Sequence, residues 1–282
     1  MSPVAIIACV CLALTLTSIS PSEAIVPTRE LENVFLGRCK DYEITRYLDI
    51  LPRVRSDCSA LWKDFFKAFS FKNPCDLDLG SYKDFFTSAQ QQLPKNKVMF
   101  WSGVYDEAHD YANTGRKYIT LEDTLPGYML NSLVWCGQRA NPGFNEKVCP
   151  DFKTCPVQAR ESFWGMASSS YAHSAEGEVT YMVDGSNPKV PAYRPDSFFG
   201  KYELPNLTNK VTRVKVIVLH RLGEKIIEKC GAGSLLDLEK LVKAKHFAFD
   251  CVENPRAVLF LLCSDNPNAR ECQLAKRFYR IA

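Results

Sequence analysis

The chain lacks most of the short motifs that identify common enzyme classes. It contains no phosphate-binding loop, no His-Glu-x-x-His zinc motif and no Gly-x-Ser-x-Gly nucleophile motif. Gly231-Ala-Gly233 has no third glycine and does not follow a strong strand, which argues against a dinucleotide-binding turn. Without a Cys-x-x-Cys pair, a zinc site is also disfavoured. We therefore expect neither a bound metal nor a tightly held cofactor.

Charge of one sign is scarce as well. The formal net charge is +3, and no run of basic residues is longer than two. Aromatic residues do not alternate with a basic stripe, so a surface that follows nucleic-acid phosphates is not expected. A mild positive balance is compatible with a small anionic substrate.

Long hydrophobic runs are absent beyond the first residues. Val4 to Leu16 is apolar but shorter than the roughly 20 residues that span a bilayer. It precedes Ser22-Glu23-Ala24, a small-x-small cleavage pattern, and residues 1–24 therefore predict a signal peptide. No later segment predicts a membrane span. We expect a soluble product of the secretory pathway, secreted or held in a vesicle lumen.

Cysteine, by contrast, is plentiful. Of the twelve cysteines, Cys9 and Cys11 lie in the predicted signal peptide. An even number in the rest of a secreted chain predicts disulfides, although spacing alone does not give their connectivity. The cysteines concerned are Cys39, Cys58, Cys75, Cys136, Cys149, Cys155, Cys230, Cys251, Cys263 and Cys272.

Hydrophobic periodicity divides the chain into a helical first part and a strand-rich second part. Helical spacing predicts helices near residues 27–37, 61–69, 82–89 and 155–171, with the first ended by Gly37 and the last begun by Cys155-Pro156. A short buried strand is expected at 98–101. Alternating or β-branched runs predict strands at 179–183, 211–220, 247–252 and 257–262, with a helix capped by Ser234 between the second and third. This order predicts an α/β (mixed α+β) fold with a small parallel sheet.

The most informative segment runs from Ile119 to Tyr128. It places two adjacent acids, Glu122 and Asp123, between apolar residues ahead of a helix predicted over 128–135. Thr120-x-x-Asp123 fits a capping box, and on spacing alone capping is the favoured interpretation. The alternative is a functional role, because carboxylates held partly out of water need partners or a task.

A few tryptophans and acids are further candidates. Trp101 ends the predicted strand, and Trp164 precedes small residues that leave room beside an indole for a flat ligand. Glu203 is the one acid of an aromatic loop. Each has a packing or surface alternative, and Trp62 is assigned to packing. The predicted structural histidines are His220 and His246, whereas His109 and His173 pair convincingly with no nucleophile; Asn206-Leu-Thr208 is a sequon.

Together, several motifs resemble the ADP-ribosyl cyclase family across the chain that follows the predicted signal peptide. They are Phe100-Trp101-Ser102, Thr120-Leu-Glu-Asp-Thr-Leu125 with Gly127-Tyr128, Trp135-Cys136-Gly137, Phe163-Trp164 and Phe199-Gly200-x-x-Glu203. The cysteine count and the missing anchor are like those of soluble members. Mammalian members have an anchor and two more cysteines, so their placement at the cell surface does not transfer.

The resemblance implies roles for seven residues. Glu203 matches the catalytic glutamate, and Trp101 and Trp164 match tryptophans that hold nicotinamide between them. Glu122 matches the acid that recognises the carboxamide and influences cyclisation against hydrolysis. Ser168 and Phe199 match residues that line the phosphate and ribose part of the pocket. Phe198 replaces a smaller polar residue of mammalian members and is implied to fold the adenine back.

The resemblance also implies an architecture. We expect a helical domain (25–94 with 120–167) and a parallel-sheet domain (95–119 with 168–282), with a cleft between them. The strand near Trp101 joins the sheet out of chain order. The implied disulfides are 39–58, 75–155, 136–149, 230–251 and 263–272.

The implied function is cleavage of the nicotinamide–ribose bond of NAD⁺ and cyclisation of the ADP-ribosyl group. Base exchange of NADP⁺ with nicotinic acid and a homodimer are expected on the same ground. Two alternatives stay open: a plain NAD⁺ glycohydrolase that gives ADP-ribose, and a non-catalytic secreted binding protein held together by disulfides.

Overall fold

A computed structural model describes residues 25–44, 51, 56–151, 153–155 and 158–279. The predicted signal peptide, residues 1–24, and Pro156 lie outside the described residues. Within these ranges every helix is too short or too polar to span a bilayer.

Nine α-helices and four strands make up the described fold, in the order helices, strand, helices, then a mixture. The strands are β1 (Met99–Ser102), β2 (Gly177–Asp184), β3 (Val211–Leu219) and β4 (Ala248–Glu253). The helices are α1 (Leu31–Ile44), α2 (Cys58–Phe69), α3 (Lys83–Ser88), α4 (Tyr105–Asn113), α5 (Leu125–Leu130), α6 (Ala159–His173), α7 (Gly233–Ala244), α8 (Arg256–Asp265) and α9 (Arg270–Tyr279).

The four strands form one parallel sheet in the order β1-β2-β3-β4. This confirms the predicted parallel sheet and the strand near Trp101, which pairs with β2 although helices α4 to α6 separate them in the chain. Ser102 of β1 lies opposite Val183 of β2, so both strands reach their carboxyl ends at one edge. Ligands of open parallel sheets bind at such edges.

Aromatic side chains form the core of the helical part. α2 begins at a capped turn, where Asp57 Oδ1 accepts hydrogen bonds from the backbone N–H of Ser59 and Ala60 at 3.0 Å each. The buried aromatic rings of α2 pack edge-on or tilted against rings of neighbouring helices. The ring centroid of Phe65, for example, lies 6.0 Å from that of Phe163 on α6. Trp62 packs against the same cluster, as predicted. The expected spacing of aromatics therefore marked core positions.

The five disulfides join the pairs that the resemblance implied. They are Cys39–Cys58, Cys75–Cys155, Cys136–Cys149, Cys230–Cys251 and Cys263–Cys272. The first joins α1 to α2, the second joins two segments outside the helices, and the last joins α8 to α9. The fold class is confirmed as mixed α/β with a small parallel sheet and five disulfides.

Several predicted boundaries were wrong. Gly37 does not end α1 but lies inside it, because the helix is held by its buried stripe and by the Cys39–Cys58 disulfide. α6 begins at Ala159. The helix predicted over 128–135 instead runs from Leu125 to Leu130, since Thr124 caps it and accepts from Gly127 N at 3.3 Å.

Two predictions in the last part were also wrong. The expected strand 257–262 is α8, which starts after Pro255; a short apolar run has the same pattern in a strand and in a helix. Ser234 does not cap α7. Its backbone N–H and hydroxyl both donate to Glu228 Oε2, at 3.1 and 2.5 Å, so a carboxylate from the preceding loop caps this helix.

Gly127 allows α5 to pack directly on the turn that carries Glu122. A Cβ at position 127 would lie 1.9 Å from Leu121 O and 2.9 Å from Glu122 Cα, and both contacts are to backbone. A side chain there requires the turn to move. The glycine of Gly127-Tyr128 is thus needed for close approach.

We expect Gly127→Ala to destabilise the fold by more than about 2 kcal/mol, because the overlap involves backbone that cannot rotate away. Thermal unfolding with the disulfides intact measures it. Gly37→Ala is the matched control: a Cβ added at position 37 would meet no other atom within 4 Å, and alanine favours a helix interior by up to about 1 kcal/mol. Equal melting temperatures for both variants would contradict the argument.

Candidate active site

All seven candidate residues line one cavity of about 450 Å³, which we call the site cavity. Its walls come from the carboxyl end of β1, from α6, from the turn after Thr120 and from the segment 194–203. The candidates are Trp101, Glu122, Trp164, Ser168, Phe198, Phe199 and Glu203. The structure thus brings together residues that lie far apart in the sequence.

A larger cavity of about 640 Å³ is not the candidate site. It lies against α3 and α6, and it shares Leu121 and Tyr171 with the site cavity. None of the seven candidate residues lines it, and no carboxyl group does. Chemistry therefore selects the smaller cavity, in which acidic and aromatic side chains converge.

Glu203 ends a π-helical turn over Phe199–Glu203 and is 7% exposed. Ser168 Oγ donates a hydrogen bond to Glu203 Oε1 at 2.9 Å. Burial raises the pKa of Glu203 to about 8, against the hydrogen bond from Ser168, which lowers it; the negative charge of Glu122 raises it further. The carboxyl group thus has one hydrogen-bond donor and a surrounding of low polarity.

The Gly200 backbone brings this turn close to the segment before it. A Cβ at position 200 would lie 2.5 Å from Arg194 O and 2.6 Å from Pro195 O. Ser197 Oγ also accepts from Gly200 N at 3.1 Å. The glycine of the Phe199-Gly200-x-x-Glu203 motif lets the chain fold back, which directs Glu203 inward.

Helix α6 presents cavity residues at regular helical spacing. Trp164, Ser168 and Tyr171 are four and three positions apart, so they share one face. Tyr171 Oη donates to Ile119 O at 2.5 Å and accepts from Met99 N at 3.2 Å, which ties α6 to β1. Gly165, the small residue after Trp164, is filled by packing instead of opening space for a ligand, because a Cβ there would lie 2.6 Å from Leu79 Cδ2.

The two phenylalanines of the 194–203 segment differ in exposure. Phe198 is 38% exposed and lies at the cavity wall beside Tyr202, at 5.2 Å between ring centroids. Phe199 is 1% exposed and stacks on Tyr181 at 3.7 Å, so its ring is mainly core. Both rings line the site cavity, and Phe198 offers the more exposed ring to a ligand.

The segment Thr120–Asp123 combines both interpretations of the sequence. Asp123 Oδ2 accepts from Thr120 N at 2.8 Å and from Thr120 Oγ1 at 3.0 Å, within the capping box that spacing predicted. Glu122 takes no part in that cap and instead lines the site cavity. The two adjacent acids therefore do different work.

His109 is the main residue that sequence reasoning missed. Its Nε2 lies 3.3 Å from Glu122 Oε2, and its Nδ1 donates to Tyr105 O at 2.7 Å. Burial raises the pKa of Glu122, but the hydrogen bond and charge of His109 outweigh it, so that the pKa is lowered. Burial similarly lowers the pKa of His109, and Glu122 outweighs it, so that this pKa is raised. The contact joins α4 to a later turn, and no local pattern encodes it.

Other polar residues also line the cavity without having been predicted. They include two further acids and one guanidinium, namely Glu161, Asp196 and Arg194. Together with Glu122 and Glu203, the cavity lining has four carboxyl groups and one guanidinium. This excess of acidic groups suits a ligand with a local positive charge. Within the described residues, no group of three or more His, Cys, Asp or Glu is arranged to hold a metal ion.

The raised pKa of Glu203 gives a stability signature. Between its ordinary pKa near 4.5 and about 8, the folded chain binds one proton more than the unfolded chain, so the free energy of unfolding falls as pH rises. We expect the free energy of unfolding of Glu203→Gln to rise relative to that of the parent between about pH 5 and pH 8, by up to about 1.4 kcal/mol per pH unit, which thermal unfolding shows as a growing gain in melting temperature. Glu178→Gln, near the opposite end of β2, is the control. A pH-independent difference would contradict the burial argument.

Comparison with known proteins places the chain in a family. The family model for ADP-ribosyl cyclase matches residues 28–272. A curated protein of Aplysia californica, ADP-ribosyl cyclase/cyclic ADP-ribose hydrolase, is 99% identical over the full length of both chains. The Aplysia kurodai protein of the same name is 87% identical, again over both full lengths. A human relative, ADP-ribosyl cyclase/cyclic ADP-ribose hydrolase 2, is 33% identical over 86% of this chain and 76% of its own.

Solved structures agree. Porcine CD38 complexed with a covalent intermediate, ribo-F-ribose-5'-phosphate, superposes with a TM-score of 0.76 at 30% identity, over 82% of this chain and 99% of that one. Its apo form gives a TM-score of 0.72 at 28% identity, over 82% and 98%. The fold, the motifs and the full-length match lead to one conclusion: the chain belongs to the ADP-ribosyl cyclase family.

Proposed function

We propose that this chain cleaves the nicotinamide–ribose bond of NAD⁺ in the site cavity and cyclises the ADP-ribosyl group to cyclic ADP-ribose. The observation that carries this proposal is a single buried glutamate, Glu203, at the base of a cavity walled by two indoles and a second, ionised carboxylate. The family supports the substrate. We further propose NADP⁺ as a substrate for base exchange with nicotinic acid.

The chemistry requires only one carboxylate at the ribose carbon. In NAD⁺ the nicotinamide ring is a positively charged pyridinium, and it becomes a neutral molecule when its bond to ribose breaks. No acid therefore has to protonate the leaving group, in contrast to ordinary glycosides. An anion about 4 Å from the developing ribosyl cation stabilises it by about 4 kcal/mol at an effective dielectric near 20. This corresponds to about a thousandfold in rate.

Substrate charge also solves the protonation problem of Glu203. In the free protein burial holds its pKa at about 8, which favours the neutral acid. The pyridinium of NAD⁺ brings a positive charge into the same dry space, and an opposite charge nearby favours the carboxylate. Binding of NAD⁺ is therefore coupled to ionisation of Glu203. The Ser168 hydroxyl, which already donates to Glu203 Oε1, keeps this hydrogen bond to the carboxylate.

The fate of the ribosyl group is decided after nicotinamide leaves. In the direct route, Glu203 forms a bond to the ribose carbon as the carbon–nitrogen bond breaks, and the electron pair leaves with nicotinamide. The porcine relative solved with a covalent intermediate supports this route. Adenine then displaces the carboxylate, whereas water gives ADP-ribose. An aromatic, largely dry pocket favours adenine, and stacking on an aromatic ring contributes about 1–3 kcal/mol per base.

We assign Trp101 and Trp164 to binding nicotinamide, because both are half-buried and line the cavity that Glu122 also lines. Glu122 is proposed to accept a hydrogen bond from the carboxamide. Ser168 and Phe199 are assigned to the ribose and phosphate end, and Phe198, with its exposed ring, to the folded-back adenine. We add Arg194 as the cation of the cavity that suits the pyrophosphate.

The remaining expectations rest on the resemblance. We propose the division into a helical and a sheet domain with the site cavity between them, a secretory route for the chain, and a homodimer. No bound metal or cofactor is needed by the proposed chemistry, in which NAD⁺ is consumed.

The decisive test is Glu203→Gln. We expect nicotinamide release from NAD⁺ to fall by about a thousandfold or more, because the charge that stabilises the ribosyl centre is gone. NAD⁺ binding, followed by quenching of tryptophan fluorescence, should be largely retained. Glu178→Gln, a half-exposed carboxyl on β2, should keep parental turnover. Turnover of Glu203→Gln within tenfold of the parent would refute the assignment.

Product analysis then separates the alternatives. Incubation with NAD⁺ followed by chromatography gives cyclic product for a cyclase, ADP-ribose alone for a glycohydrolase and no turnover for a binding protein. We expect Glu122→Ala to raise the ratio of cyclic ADP-ribose to ADP-ribose, since the carboxylate no longer orients the nicotinamide end. An unchanged or lowered ratio would remove Glu122 from control of the product.

A further inference from the structure

His109 occupies a place in the site that the proposed chemistry does not use. It lies on α4, outside the site cavity, and lines a polar cavity of about 420 Å³ on the other side of Glu122. Glu122 lines both cavities, and the side chains of His109 and Glu122 are each 15% exposed. The histidine therefore contacts the carboxylate from behind, as seen from the site cavity.

The hydrogen bonds of the imidazole fix its proton arrangement. Nδ1 lies 2.7 Å from Tyr105 O, and a carbonyl oxygen only accepts, so Nδ1 carries a proton. In the neutral ring Nε2 would then have a lone pair, which would face the Glu122 carboxylate at 3.3 Å. Thr120 Oγ1 also lies 3.4 Å from Nε2, but its hydroxyl donates to Asp123 Oδ2 at 3.0 Å and is not available to that lone pair. Two acceptors as close as Nε2 and the carboxylate oxygen repel each other. The doubly protonated ring removes this conflict, because both nitrogens donate.

The aromatic surroundings favour the same form. The Tyr105 ring lies 4.1 Å from the His109 ring centroid, and the Trp101 ring lies 5.8 Å from it in an edge-on arrangement. The Tyr105 ring is tilted by 34° from the imidazole plane, so the imidazole lies against its face, where a cation is attracted. The charged groups around His109 are the acids Glu122 and Asp123 on the neighbouring turn. Arg38 of α1 lines the polar cavity, where its Nη1 donates to Met129 O and Asn131 O at 3.2 and 2.6 Å.

Both donors around Glu122 converge on one oxygen. Trp101 Nε1 donates to Glu122 Oε2 at 3.4 Å, and His109 Nε2 reaches the same atom at 3.3 Å. Oε1 takes no part in either contact. Held by Trp101 and His109, the carboxylate has a defined rotation and leaves its second oxygen for a ligand.

We propose that His109 is the positioning residue of Glu122, keeping its carboxylate ionised and oriented so that nicotinamide recognition and the choice of product do not vary with pH. This inference rests on the proposed function of the site cavity. Without His109, Glu122 is a carboxylate in a half-dry wall with an indole and its own backbone N–H as donors, and the neutral acid becomes more favoured at mildly acidic pH. A carboxylic acid has an O–H donor in place of one acceptor, and its contact with a carboxamide changes accordingly.

The first test needs no turnover. The chain has four histidines, so the ring signals of His109 are assigned by NMR as those missing in His109→Gln. In the substrate-free protein we expect both ring nitrogens of His109 to stay protonated at pH values above the ordinary pKa of histidine. We expect Glu122→Gln to lower the pKa of His109. A neutral ring at about pH 6, or a titration unchanged by Glu122→Gln, would overturn the proposal whatever the enzyme does.

The second test measures the ratio of cyclic to linear product against pH. Both products form from the same intermediate, in which Glu203 is bonded to the ribose carbon, so the titration of Glu203 in the free protein changes the rate and cancels from the ratio. For the parent we expect a constant ratio between about pH 6 and pH 8.5, and for His109→Phe a ratio that changes by about threefold or more across that range, since one pKa unit shifts the ionised fraction up to tenfold. The KM of His109→Phe for NAD⁺ should rise most at the acidic end.

Two further variants separate positioning from a structural defect. Glu122→Gln has no titrating group, so adding His109→Phe to it should leave the ratio independent of pH. His109→Gln retains an amide donor without charge, and its ratio should vary with pH less than that of His109→Phe; it also serves if His109→Phe does not fold. A pH-independent ratio in both His109 variants, or pH dependence that persists with Glu122→Gln, would overturn the proposal. An inactive parent would instead refute the proposed function, and this inference with it.

Discussion

The burial of one carboxyl group, that of Glu203, is the constraint on which the site depends. A carboxylate withdrawn from water is costly unless hydrogen bonds or opposite charge compensate for it, and the free protein supplies only the Ser168 hydroxyl. The fold tolerates this because the surrounding frame is rigid. Tyr171 ties α6 to β1, and the closely packed Gly200 holds the turn that ends at Glu203. Site geometry is thus supported by contacts within the protein.

The two glutamates of the cavity are pushed in opposite directions by their surroundings. Burial raises the pKa of Glu203, whereas the pKa of Glu122, despite burial, is lowered by His109. Pairs of acids with separated pKa values take different parts in a reaction. Here Glu122 is already an anion before substrate arrives, and its charge adds to the cost of ionising Glu203. In the proposed function the arriving pyridinium relieves both effects, and we therefore expect the cavity to favour NAD⁺ over neutral nucleosides.

Sequence predicted what local rules and the resemblance encode. The aromatic stripes, the parallel strands and the Thr120–Asp123 capping box followed from periodicity and spacing, and the disulfide pairing and the convergence of the site residues followed from the resemblance. Boundaries failed where tertiary contacts override local pattern: α1 continues through Gly37, α7 is capped by Glu228, and residues 257–262 form a helix. The role of His109 was not predicted, because its partner Glu122 lies on a turn that follows α4 in the chain. Only the packing of that turn against α4 brings the two side chains together.

In the function that we propose, separate groups control bond cleavage and the choice of product. Cleavage depends on a charge at Glu203, deep in the wall, whereas the product depends on which nucleophile reaches the ribosyl carbon first. Phe198 at the wall is the exposed aromatic ring on which adenine can stack while it folds back. We assign Glu122, which His109 contacts, to control of how long and how firmly nicotinamide occupies the remaining space. Once nicotinamide has left, adenine must already be in place. The cyclase outcome therefore demands order at the mouth of the cavity, where adenine folds back, and the catalytic carboxylate alone does not secure it.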